Sequence, residues 1–161
     1  MTYLSLLLSS IALFFTFRKD AHRIALQLTP VWDNWIEVLT VSNDSSFPVG
    51  ILSIAYFDGH GKTVWLDEIG DHRTHKWIQL PLRLEARSAA SLDITVGRKG
   101  MNVRAAHGYL VQLESGRVYV LQNSAPRRLA WKLRLASIVS MISAGRYAPG
   151  VKRPRFPAQS F

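Results

Sequence analysis

The sequence predicts an all-β domain, an antiparallel β-sandwich, preceded by a single N-terminal transmembrane helix and followed by a basic C-terminal extension. Three observations predict it. An uncharged apolar run opens the 161-residue chain, apolar residues recur at a spacing of two through its middle, and the cationic excess is confined to its C-terminal part. A chain of this length holds one core with short extras, because single hydrophobic cores serve about 100 to 200 residues. The expected division is an anchor over 1–19, a sandwich over 20–125, and a basic element with a disordered tail over 126–161.

From Tyr3 to Phe17 the chain reads YLSLLLSSIALFFTF and is stopped by Arg18 and Lys19. The seventeen residues from Met1 to Phe17 make roughly 25 Å of helix at about 1.5 Å per residue, the short end for spanning a bilayer. Snorkelling of Arg18 and Lys19 at the membrane boundary, or local thinning of the bilayer, closes the shortfall. A cleaved signal peptide fits less well: Met1-Thr2-Tyr3 carries no basic side chain, and Phe15-Thr16-Phe17-Arg18 is no small-residue cleavage site. A helix buried in a protein core fits less well too, because this run is polar on no face. Arg18, Lys19 and Arg23 all flank its C-terminal end, so the positive-inside tendency places the following domain in the cytoplasm; export is the alternative.

The body of the chain then alternates. Ile24, Leu26 and Leu28 interleave with Arg23, Ala25 and Gln27, the pattern of a strand with one buried face. Trp35 to Val41 is rich in branched and aromatic residues, and Ser42-Asn43-Asp44-Ser45-Ser46 after it is turn chemistry. Pro48 to Phe57 predicts a strand with Ile51, Ser53, Ala55 and Phe57 on one side and Leu52, Ile54 and Tyr56 on the other. Asp58-Gly59-His60-Gly61-Lys62 is a hairpin loop into Thr63 to Leu66. Trp77 to Leu84 alternates until Pro81, which moves that run to a sheet edge. Ser91 to Val96 is a further strand, and Tyr109 to Leu113 turns through Glu114-Ser115-Gly116-Arg117 into Val118 to Leu121. Such short strands divided by turns argue for an antiparallel sandwich, with a small barrel as the close alternative.

The stretches LTVSNDSSFPVGILSIAYFDGHGK, LPLRLEARSAASLDITV and YLVQLESGRVYVL resemble the immunoglobulin-like domain of small uncharacterised membrane-anchored proteins from bacteria and their phages. The resemblance covers roughly residues 3–122 and rests on the Pro48-Val49-x-Ile51 strand, the Leu80-Pro81 step and the Ser115-Gly116-Arg117-x-Tyr119 hairpin. It implies an immunoglobulin-like sandwich behind a membrane helix and no catalytic residues. The cysteine pair of antibody domains is missing, because the chain has no cysteine.

The absence of cysteine also excludes disulfides, thiolate nucleophiles and sulfur-based zinc sites. Asp67, Glu68, Asp71, His72 and His75 form the densest polar cluster. His72 and His75 would share a face on a helix, but Gly70 and the surrounding turn residues argue for a solvated loop rather than a metal site. Gly59-His60-Gly61-Lys62 lacks the spacing and the following helix of a phosphate-binding loop. No nucleophile-elbow pattern occurs, so the sequence points to no enzyme, no cofactor and no small-molecule substrate. His22 and His107 are isolated, and Trp32, Trp35, Trp65, Trp77 and Trp131 suit core packing or a membrane interface.

The net charge of +9 is local: residues 1–114 carry eleven Lys/Arg against all eleven acids, and residues 115–161 carry nine Lys/Arg and no acid. Arg127-Arg128-Leu129-Ala130-Trp131-Lys132-Leu133-Arg134-Leu135 sets apolar residues beside cationic ones. As a strand it would put Leu129, Trp131, Leu133 and Leu135 on one face; as a helix it would run from Leu129 to Ala144 with Gly145 as its cap. Beyond Tyr147 a Pro-rich basic tail is expected to be disordered. Arg127, Arg128, Lys132, Arg134, Lys152, Arg153 and Arg155 are the candidate contacts to an anionic surface. The expectation is a membrane-anchored interaction or structural module whose partners are the bilayer and a protein; a nucleic-acid-binding accessory is the alternative.

Overall fold

A computed structural model describes residues 2–19, 23–31, 36–58, 60–66, 68–94, 106–123 and 126–151. The uncharged N-terminal run forms helix α1, Thr2–Lys19. Among the described residues no helix is long and apolar enough to cross a membrane, which corrects the expected transmembrane span. The reason is length: Arg18 and Lys19 are the last two residues of α1, leaving about 24 Å of uncharged helix against a hydrocarbon core of about 30 Å.

The alternating residues build strands β1 (Ile24–Val31), β2 (Ile36–Asn43), β3 (Val49–Phe57), β4 (Thr63–Leu66) and β5 (Glu68–Asp71). They continue through β6 (Trp77–Gln79), β7 (Leu82–Leu84), β8 (Ser88–Asp93), β9 (Gly108–Leu113) and β10 (Val118–Gln122). One antiparallel sheet has the order β1-β2-β8-β5-β6, and the other β10-β9-β3-β4 with β7 also paired to β3. The two sheets close on one core: Ile24, Leu39, Val41, Ile69 and Leu92 from the first meet Ile51, Ile54, Tyr109, Val111 and Leu113 from the second. The expected sandwich is therefore present. β6 is an edge strand, as Pro81 predicts, and the chain changes sheets at that proline to enter β7.

Two departures from simple alternation shape the second sheet. The pairing of β3 with β9 shifts register between Ile51 and Ser53, so one extra residue flips the strand. Ile51 consequently joins Ile54 and Tyr56 in the inter-sheet core, whereas Ala55 and Phe57 face the other way. That corrects the expected grouping of Ile51 with Ser53, Ala55 and Phe57. The second departure is that β9 is buried along its whole length. Its outward Leu110, together with Ala55, Phe57, Val118 and Val120, needs a cover.

The cover is helix α2, Arg127–Ile142. Leu133 and Ala136 complete the outer cluster, with Leu129, Ala148 and Val151 packed at its margin. The molecule thus has three layers, sheet on sheet on helix. The segment left open between strand and helix is a helix, beginning two residues earlier and ending two residues earlier than expected. Gly145, at φ +76°, sits just past its end, and its N–H donates to the Ser140 carbonyl at 2.6 Å. The chain stays packed to Val151, beyond the predicted start of the tail.

Candidate functional site

α2 divides its side chains by their angular position. At about 100° per residue, Leu129, Leu133, Ala136 and Ser140 fall on one side of the helix. Leu133, Ala136 and Ser140 are buried, and the Val120 N–H donates to Ser140 Oγ at 3.2 Å. The opposite side carries Trp131, Leu135, Ile138 and Ile142, with Trp131 and Ile142 each 66% exposed. Strand geometry would have kept Leu133 with Trp131 and Leu135; the helix sends Leu133 inward and the other two outward. The contribution of Ile138 and Ile142 to this surface lies beyond the cationic run from Arg127 to Leu135. Their signal is the spacing 131, 135, 138, 142 in the sequence.

Arg127, Arg128, Lys132 and Arg134 are exposed around that stripe. Among the described residues none of the four makes an ion pair. Arg127 and Arg128 occupy the first turn of α2, which holds no acid and whose Pro126 cap offers no side-chain hydrogen bond. Cations there oppose the helix dipole, so local helix energetics do not account for them. Lys152, Arg153 and Arg155 lie outside the described residues.

The acidic and histidine cluster forms a corner of the first sheet rather than a plain loop. Glu68 to Asp71 pair with β6 and β8 as strand β5. His72 Nδ1 lies 2.7 Å from Asp93 Oδ1, and Asp93 is 8% exposed. Gly70 sits opposite Asp93, where an added Cβ would come within 3.3 Å of the Asp93 Cβ. Asp71 holds the turn by accepting from the Thr74 hydroxyl at 2.6 Å and the Arg73 N–H at 3.1 Å. The Thr74 bond, first of these, lowers the Asp71 carboxyl below its usual range. Among the described residues no hydroxyl is hydrogen-bonded to the His72 ring. Nor do three of the described His, Asp or Glu side chains converge as metal ligands. Asp67, His22, Trp32 and Trp35 lie outside the described residues.

The glycine loop after β3 is closed on itself. Asp58 Oδ1 accepts the N–H groups of His60 at 2.9 Å and Lys62 at 2.8 Å, and the Gly61 N–H donates to the Asp58 carbonyl. Those backbone donors, Lys62 first, lower the Asp58 pKa, and they are turned to a carboxylate rather than to a phosphate.

Glu37 is an inter-sheet tie that alternation alone did not flag. It accepts from the Tyr109 hydroxyl and, at 3.2 Å, from Asn123 Nδ2. Tyr109 is fully buried, and burial, reinforced by the Glu37 carboxylate, raises its pKa far above that of a free phenol.

Set against known proteins, the chain matches no family model, no curated protein and no solved structure.

Proposed function

We propose that this chain is a non-enzymatic contact module of a bacterium or phage: an immunoglobulin-like sandwich held at the cytoplasmic face of a membrane by α1. The observation that carries the reading is the condition of α1. Tyr3 is 87% exposed and Leu6, Leu7 and Leu8 about 60% each, and none of the described side chains of α1 joins either hydrophobic cluster. Each large apolar side chain left in water forgoes roughly 1.5–3 kcal/mol that full burial supplies. A protein groove would take one face of such a helix, whereas lipid takes all of them. The short helix inserts into the bilayer without crossing it, with Arg18 and Lys19 at the headgroups.

Four hairpins of successive strands, β1/β2, β3/β4, β5/β6 and β9/β10, divided between two facing sheets, support the immunoglobulin-like reading. A scaffold of this kind works through what it touches, here the bilayer and a protein partner. The nucleic-acid reading of the basic segment is opposed by the apolar stripe lying among its cations. A reporter fused after Phe161 tests the proposal in fractionated cells. It should be found with the membranes and be active on the cytoplasmic side; a soluble or exported reporter refutes it.

A further inference from the structure

We infer that the outer face of α2 is a second membrane contact, lying in the plane of the bilayer surface and binding anionic phospholipid headgroups. The inference deepens the proposed membrane location and concerns a surface separate from α1. Trp131, Leu135, Ile138 and Ile142 fall within an arc of about 60° when the helix is projected at ~100° per residue. They point away from the buried Leu133, Ala136 and Ser140. Arg128 and Lys132 border the stripe on one side, and Arg127 and Arg134 on the other. An interfacial helix needs this layout: an apolar stripe sunk to the acyl boundary, a tryptophan at headgroup level and cations along both flanks.

Charge selects lipid over the other occupants. Residues 115–161 contain no acid, and neither does α1, which ends in Arg18 and Lys19. Pairing α2 with the α2 of a second copy would therefore set cation beside cation, and α1 offers those cations no anion. A nucleic acid would satisfy the arginines but lay its phosphates over Trp131 and Ile138, leaving the stripe unburied. An anionic bilayer matches both components at once, and it supplies the anions that Arg127 and Arg128 lack at the helix start.

The chain has no cysteine, so one introduced residue gives a unique label. Ile138→Cys places an environment-sensitive nitrobenzoxadiazole fluorophore in the stripe, and Ala89→Cys places it at an exposed position of the first sheet. The full chain is mixed with phosphatidylcholine vesicles, with or without about a third phosphatidylserine. The label at position 138 should shift to the blue and be quenched by a lipid-borne quencher only on the anionic vesicles, and the label at 89 should do neither. Replacing Arg128, Lys132 and Arg134 together by Gln, all three exposed, should cut the preference for anionic vesicles by about a hundredfold, roughly fivefold per charge.

A label at 138 that stays in water on anionic vesicles overturns the inference. So does a blue shift that grows with protein concentration without lipid, which would mean a second copy, or one produced by duplex DNA instead of vesicles. Loss of binding to neutral vesicles alone, with the response at 138 intact, contradicts the α1 anchor and leaves this surface standing. Binding to neutral vesicles without that response does the reverse.

Discussion

Asn43 and Tyr109 show how single polar groups close this sandwich. Asn43 is fully buried at the end of β2, and its side-chain amide donates to the carbonyls of Phe47 and Glu85, each at 2.9 Å. Its Oδ1 accepts from the Ser45 N–H and hydroxyl. The sequence marks this position as turn chemistry, but its burial depends on the distant arrival of Glu85 and stays invisible to local reading. Asn43→Ala should lower the free energy of unfolding by about 1–3 kcal/mol, measured in urea, because several buried partners lose their bonds together. At Tyr109 the prediction concerns pH. Burial, then Glu37, raises its pKa, and burial raises that of Tyr119 despite Arg117 beside it. The folded state therefore holds these protons more tightly than the unfolded state. Stability should be intact below the free phenol pKa of about 10 and fall as pH rises above it. Urea unfolding at successive alkaline pH values should show that fall, and Tyr109→Phe should reduce its slope.

At the scale of elements, period two is enough to place β1 and the β9/β10 hairpin, and the glycine-rich loop places β4. Period two fails at β3, because a bulge changes the face without changing the composition. It also hides β5, whose Glu68, Gly70 and Asp71 resemble loop residues until β6 and β8 pair with them. For α2 the ambiguity has a specific cause. Over the nine residues from Arg127 to Leu135, apolar positions at 129, 131, 133 and 135 satisfy a strand, and only Ile138 and Ile142 beyond them restore helical spacing. The partition of α2 into an inner and an outer side gives a paired prediction. Leu133→Ala should cost about 2–4 kcal/mol of stability through the cavity it opens under the helix. Ile138→Ser, on the exposed side, should change stability by no more than about 0.5 kcal/mol. Equal losses in chemical denaturation would mean that the outer stripe is covered by protein. Gly145→Ala should also destabilise the helix end, because an added Cβ would come within 2.7 Å of the Tyr119 ring at a φ that favours glycine.

For the whole molecule, the sequence made the sandwich legible and left its third layer obscure. Leu110, Val118 and Val120 carry the hint, since they are apolar on the side of the second sheet that a two-layer sandwich would expose. The distribution of charge was legible from the start, but its bearing on a membrane emerges only once α2 turns Trp131, Leu135, Ile138 and Ile142 outward between cations. With Tyr3 to Phe17 of α1 uncharged, the molecule then has two surfaces whose chemistry suits lipid and a β body between them in sequence. Alkaline carbonate extraction of membranes from cells producing the full chain, or a chain lacking residues 2–19, tests the central claim most directly. The full chain should stay in the membrane pellet and the shortened chain should be released; a full chain that washes into the supernatant would contradict the account.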